Sequence, residues 1–255
     1  MAMVINTNMA SLNAQRHLSG SQSKLAKSME RLATGKRINS GQDDAAGLGI
    51  SSRLGGKIRA LNQSVRNAND GISMAKAGDG ALAEVANMLE RMRELVNQKG
   101  DGALSTQDIS SITAEMASLQ TEISAIKTNT KFNDKALLTG STFSFTVGET
   151  DTYSLTVGSP SVAAGSTPTS IEAAIDSVSK ARANFGKAIT VLESRAANSA
   201  ALAENLSAAR SQILDADIAS ETAEMTKASV LQQAGVSILA QANQSPQVVL
   251  SLLQG

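Results

Sequence analysis

The stretch LAEVANMLERMRELV, residues 82–96, decides the fold. Leu82, Val85, Leu89, Met92 and Val96 recur at alternating steps of three and four. That spacing lines up one face of a helix as a coiled-coil seam. Just downstream, Lys99-Gly100-Asp101-Gly102 reads as a turn. Ser105 with Asp108 then imitates a capping box, Asp standing in for the usual Glu. A second ladder follows in Ile109, Ile112, Met116, Leu119, Ile123 and Ile126. Two ladders joined by a short glycine turn predict an antiparallel helical hairpin.

Working upstream, the pattern is helical from about Ala45 to Gln98. Asn69-Asp70-Gly71 and Gly78-Asp79-Gly80 would be turns on local chemistry alone. Each glycine inside a helix costs about 1 kcal/mol relative to Ala. The reading is one long helix with a weak spot near Gly78. Before it, ATGKRINSGQDDAAGLGIS, residues 33–51, is a connector crowded with Gly, Asn, Ser and Asp. Asp43 and Asp44 lack a third acid or His at ligand spacing, so capping of the next helix by Ser40 or Asp43 is preferred to a metal site. Residues 4–33 form an amphipathic helix whose apolar side is Met9, Leu12, Leu18, Leu25, Met29 and Leu32. Gly35 fits its C-cap, with Arg31, Lys36 and Arg37 near the negative helix end. Alone, a helix so poor in large residues is marginal in water.

Downstream of the second ladder the period changes to two. Phe143, Phe145 and Val147, then Tyr153, Leu155 and Val157, alternate across residues 142–158, with GETDT supplying the turn of a β-hairpin. Such a hairpin is marginal by itself and should lie against helices. Ser159–Pro168 is a linker, and Thr169 with Glu172 forms a second capping box. Helix then runs from about Ser170, with a seam of Ile171, Ile175, Val178, Phe185, Ile189 and Leu192 that Arg182 interrupts. After Ala196 the phase slips, and Leu202, Leu206 and Ile213 continue it. Leu214-Asp215-Ala216-Asp217 reads as a joint rather than a DxD metal motif, since no phosphate loop or third ligand accompanies it. The last stretch, LQQAGVSILAQANQSPQVVLSLL at 231–253, has a greasy face in Leu231, Ala234, Ile238 and Ala242. Val248, Val249, Leu250, Leu252 and Leu253 then carry an apolar run almost to the terminus. No side chain from Ala228 to Gly255 is charged, so this tail needs a cover.

Composition agrees. Aromatics are 2% of the chain, with no Trp, so large rings cannot dominate burial as they do in ordinary cores. Zero Cys excludes disulfides and thiolate metal sites, and 23 basic against 23 acidic residues weakens a non-specific nucleic-acid reading. The sole histidine, His17, leaves no zinc-protease motif and no Ser-His-Asp or Cys-His system elsewhere, so no catalytic, metal or cofactor residue is assigned. The opening lacks a basic lead and an apolar core, so no cleaved signal peptide is expected. No apolar run is long enough to span a bilayer. The expected fold class is mostly α: long antiparallel coiled-coil helices with one small β-hairpin, elongated rather than globular.

Several blocks now fit one pattern: VINTNMASLNAQ, RLATGKRINSGQDDAAGLGIS, RNANDGIS and ILDADIASETAEMTKASVLQQAGVSILAQANQSPQVVLSLL. They resemble bacterial flagellin, densely at residues 1–140 and 170–255, with only a hairpin and a short linker where many flagellins insert outer domains. The resemblance implies a secreted structural subunit of the extracellular flagellar filament, exported by a type III apparatus. It implies an inner-tube helix and connector at 1–40, shell helices at 41–140, hairpin and linker at 141–168, a shell helix at 169–214 and a second inner-tube helix at 215–255. Its implied partners are other copies of itself, an export chaperone, and cap and hook–filament junction proteins. Family members with an R-x-R-E-L run are read by the mammalian Toll-like receptor for flagellin. The match points to Arg91 and Leu95, with Glu115 on the neighbouring helix; the plainer reading puts Leu95 beside the seam.

The expected polymerisation residues are Ile5, Leu12, Leu25 and Leu32 at one end, and Leu231, Ile238, Val249, Leu252 and Leu253 at the other. Burial of such faces between copies yields about 25 cal/mol per Å² of apolar surface, offset by the entropy of ordering the segments. Terminal segments that order on assembly are therefore expected. Two other readings compete: a hook–filament junction protein, which shares similar ends, and a free coiled-coil adhesin, which would dissolve as an oligomer rather than form fibres.

Overall fold

The structure is a computed structural model that describes residues 7–159 and 167–253, with side chains described up to Gln244. Ile5 and most of the 159–168 linker lie outside the described residues, as do the side chains of Val249, Leu252 and Leu253. Five helices are present among the described residues: α1 (Met9–Thr34), α2 (Ala45–Lys99), α3 (Thr106–Asn129), α4 (Pro168–Leu214) and α5 (Ile218–Leu253). Between α3 and α4 come β1 (Lys131–Phe132), β2 (Lys135–Ala136), β3 (Thr142–Thr146) and β4 (Thr152–Thr156). The chain divides into two compact units. One comprises residues up to Gly55 and from Ser207 on; the other is Gly56–Leu206.

The Gly56–Leu206 unit holds the large buried side chains. Leu82, Val85, Leu89, Met92 and Val96 of α2 share one apolar cluster with Ile112, Met116 and Ile123 of α3 and with Ile171, Val178 and Phe185 of α4. Leu119 packs against the cluster half-buried, and Ile109 is also half-buried. The capping box at Ser105 forms in both directions: Asp108 N–H donates to Ser105 Oγ at 3.2 Å, and Ser105 N–H donates to Asp108 Oδ2 at 3.0 Å. Ser105 Oγ donating to Asp108 Oδ2 at 2.6 Å, and then the Ser105 N–H bond, hold the Asp108 carboxyl below the usual carboxylate range.

The weak spot expected near Gly78 is absent, because α2 runs unbroken through both glycine clusters. Packing supplies the reason. A Cβ on Gly78 would lie 2.4 Å from the Phe185 ring, and one on Gly71 would lie 2.9 Å from Leu192. The glycines are notches that receive α4 side chains, so tertiary contact outweighs the propensity cost of about 1 kcal/mol each. Arg182, which interrupts the α4 seam, reaches Asp79, the residue after Gly78: Nε to Oδ1 is 2.9 Å.

β3 and β4 pair antiparallel, from Thr142 opposite Thr156 to Thr146 opposite Thr152. The hairpin's inward residues Val147, Leu155 and Val157 are buried, as period-two alternation requires. Its turn is held to α2 by Ser64 Oγ donating to the Gly148 carbonyl at 2.6 Å and Asn67 Nδ2 donating to the Thr146 carbonyl at 3.0 Å. A smaller hairpin, β1–β2, was not foreseen. It turns through Asn133 and Asp134, both at positive φ (49° and 61°), the conformation of a type I′ turn. Behind it Leu137 and Leu138 are fully buried.

Three local readings change. α4 begins at Pro168, and its first turn is bonded to Thr167, whose carbonyl accepts from the Ser170 and Ile171 N–H groups. The Thr169–Glu172 box is therefore displaced: proline at the first helical position sets the start. The expected continuation through Leu202 also fails, since Leu202 is 45% exposed while Ser199 and Ala203 are buried. At the start of α2 the cap is Asp44, whose Oδ1 accepts from Gly47 N–H at 2.8 Å, rather than Ser40 or Asp43.

Candidate assembly surface

Within the unit that contains both chain ends, α1 and α5 pack along each other antiparallel. The inward side of α1 follows Ser11, Ala14, Leu18, Ser21, Leu25, Ser28 and Leu32. On α5 it follows Glu221, Met225, Ala228, Gln232, Gly235, Leu239 and Ala242. Both are unbroken heptad seams at steps of three and four. A Cβ on Gly235 would lie 3.8 Å from Leu18 Cβ, so the helices approach closely there.

This seam divides the apolar residues anticipated from sequence. Leu18, Leu25 and Leu32 face α5, whereas Met9, Leu12 and Met29 do not. Leu231 and Ile238 belong to a different α5 face from the seam, and are 49% and 58% exposed. Eight of the ten exposed large hydrophobics among the described residues lie on these two helices: Met9, Leu12 and Met29, with Ile218, Val230, Leu231, Val236 and Ile238. Beside the seam runs a groove of about 530 Å³, lined by Ala10, Leu18, Leu231, Ala234 and Ile238, with Arg16, His17 and Lys24 among its polar residues. Exposed apolar side chains concentrated on two helices are what a contact site presents.

The connectors at the base of this pair are tied together. Gly35 closes α1 at φ 67°. Lys36 and Asp215 form an antiparallel bridge, with Arg37 N–H donating to the Leu214 carbonyl at 2.7 Å and Ala216 N–H to the Gly35 carbonyl at 3.0 Å. Asp215 and Asp217 are thus joint residues: Asp217 Oδ1 caps α5 by accepting from Ala219 N–H at 2.9 Å. Lys27 Nζ meets Asp43 Oδ1 at 2.7 Å, and Asn39 and Ser40 N–H donate to Asp43 Oδ2 at 3.1 Å each. The Lys27 hydrogen bond first, and the two backbone donors next, hold the Asp43 carboxyl far below the usual carboxylate range. Arg31 Nη1 crosses to Glu221 Oε1 at 2.8 Å. Among the described residues no group of three acids, histidines or cysteines could hold a metal ion, and no helix is long and apolar enough to cross a membrane.

The residues matched to receptor recognition separate. Arg91 bonds Glu94 at 3.0 Å and Glu115 at 3.1 Å on an exposed face, and those hydrogen bonds, Glu94's first, push its guanidinium further up. Leu95 is 2% exposed and packs into the same cluster as Met92 and Val96. It therefore offers no side-chain surface to a partner in this fold.

Comparison with known protein families matches both helical ends of the chain and leaves out the segment between residues 142 and 169. The model of the bacterial flagellin N-terminal helical region matches residues 5–142, and that of the C-terminal helical region matches 169–253. The chain is 38% identical over 272 residues to a flagellin of Halalkalibacterium halodurans, covering 99% of this chain and 100% of that protein. A flagellin of Bacillus subtilis is 36% identical over 304 residues, covering 99% and 100%. The flagellar filament 33 kDa core protein of Treponema phagedenis is 35% identical over 286 residues, with the same coverage.

Proposed function

The chain belongs to the bacterial flagellin family, and from that premise we propose that its α1–α5 pair is the adhesive element that builds the filament. As a flagellin it is a structural subunit of the flagellar filament, which self-assembles from its own copies and serves motility; it is not an enzyme. The observation that carries the assignment of roles is the exposed apolar surface concentrated on α1 and α5. Leu12, Leu231 and Ile238 are the exposed contacts to other copies; Leu25 and Leu32 brace α1 against α5. Ile5, Val249, Leu252 and Leu253 extend the same adhesive ends. The seam of Leu82, Val85, Leu89, Met92 and Val96 with α3 is the packing core of the shell.

In this reading residues 1–40 and 215–255 line the inner tube, 41–140 and 169–214 form the shell, and 141–168 is the remnant of the outer region. An export chaperone covers the carboxyl-terminal helix before assembly, and cap and hook–filament junction proteins meet the subunit in the growing filament. Receptor recognition of dissociated subunits rests on Arg91 and Glu115, without Leu95.

Seeded polymerisation followed by electron microscopy tests the assignment. The full chain forms fibres, and the terminal helices gain hydrogen-exchange protection on assembly. A chain trimmed of both ends that still builds normal fibres overturns it.

A further inference from the structure

Counting along both helices from the Leu18–Gly235 contact sets Ser21 against Gln232, Leu25 against Ala228 and Ser28 against Met225. Now slide the pair by one heptad, about 10 Å at 1.5 Å per residue. Leu18 then meets Ala242, Ser21 meets Leu239, Leu25 meets Gly235 and Leu32 meets Ala228. Each layer again sets a small residue against a larger one. Packing alone therefore discriminates poorly between the two registers. Polar contacts discriminate, as single polar groups do in coiled coils: the backbone bonds from Arg37 N–H to the Leu214 carbonyl and from Ala216 N–H to the Gly35 carbonyl hold the joint, and side chains act alongside them.

At the far end of the seam Asn8 Nδ2 donates to the Ala242 carbonyl and Ser11 Oγ to Asn243 Oδ1, each at 2.8 Å, whereas the charged contacts sit where the connectors meet. Lys27 and Arg31 are four residues apart and so share one face of α1. Lys27 holds the chain's own connector through Asp43, and Arg31 holds the first turn of α5 through Glu221. Arg31 is half-buried, with its Nε shielded from solvent and unmatched, so the bond to Glu221 offsets part of the cost of drawing this cation out of water. A one-heptad slide places Arg31 near Ala228, which cannot accept from it. We propose that Lys27, Arg31, Asp43 and Glu221 are positioning residues that select the α1–α5 register and so decide which faces the subunit presents to its neighbours. The register does not depend on the assembly role; its consequence for neighbours rests on that role.

The chain has no cysteine, so an introduced pair reports register cleanly. The 3.8 Å Cβ separation at Leu18 and Gly235 lies at the mean disulfide value of about 3.8 Å. Three full-length reporters are made: L18C/G235C for the observed register, and L18C/A228C and L18C/A242C for the two slipped ones. Each is oxidised as soluble chain and as seeded filament. The parent background crosslinks at 235. R31E moves crosslinking to 228 or 242, with at least a tenfold rise there, and R31E/E221R returns it to 235. R31E that crosslinks at 235 as the parent does, R31E that loses all three crosslinks equally, a swap that fails to restore 235, or a parent that crosslinks evenly at all three overturns the proposal. A parent that crosslinks at 235 yet forms no fibres overturns the assembly role and leaves the register assignment standing.

Discussion

The two units of this chain use opposite packing chemistry. All five aromatic residues, Phe132, Phe143, Phe145, Tyr153 and Phe185, lie in Gly56–Leu206, and none lies in the unit containing the chain ends. The first unit encloses Leu, Ile, Met and Phe side chains around a cluster supplied by three helices and a hairpin. The second joins α1 and α5 through Ser, Ala, Gly and occasional Leu, and leaves its larger apolar residues outside. The difference separates two tasks. One unit has a core of its own, whereas the other leaves exposed the apolar surface proposed to meet neighbouring copies.

The most severe test removes the ring at the centre of the filled unit. Phe185→Ala empties a fully buried site over Gly78 and should lower stability by about 3–5 kcal/mol in denaturant unfolding of the soluble chain. A loss under 1 kcal/mol would break the distinction between the units. Next come two glycines two residues apart. Gly78→Ala drives a Cβ into Phe185 and should cost about 1–3 kcal/mol despite the better helix former. Gly80→Ala meets nothing within 4 Å and should stabilise by about 0.5–1 kcal/mol. Equal signs at the two positions would show that propensity, not the notch, governs this part of α2.

Ile238→Ala probes the other unit. Because Ile238 is 58% exposed, unfolding of the soluble chain should change by no more than about 0.5 kcal/mol. The critical concentration for assembly should rise about tenfold, the equivalent of about 1.4 kcal/mol of lost burial at a subunit contact. The gentlest test is titration. Asp43 has a depressed folded value, so its contribution is complete above the unfolded value of about 4 and is lost only as pH falls through the depressed one. Its carboxyl carbon signal should remain that of the ionised form down to about pH 4 and shift only below it. A midpoint at the ordinary value would mean the Lys27 contact is not held in solution.

Much of this was legible from residues alone, for identifiable reasons. The 82–96 and 109–126 ladders stand out because heptad periodicity is a local property of a helix that buries one face. The β3–β4 hairpin is legible by the same logic at period two. Gly78 misled because the ring that fills its notch lies 107 residues further along the chain. β1–β2 escaped because two-residue strands have no period; the only signal was Asn133-Asp134, a pair that tolerates positive φ. At the ends, sequence marked α5 as apolar but not which apolar residues face α1. A helix apolar on two sides looks the same whether its partner is its own chain or another, and only the three–four seam through Gly235 separates them.

Tyr153 has a practical consequence. With no tryptophan in the chain, this one phenol, seated 5.6 Å from the Arg195 guanidinium, supplies the ultraviolet fluorescence. It sits in the hairpin, in the unit without the chain ends. An optical melting curve followed at that wavelength will therefore record the hairpin's surroundings while the paired ends loosen unseen. A faithful account of the ends needs an amide or a label placed there.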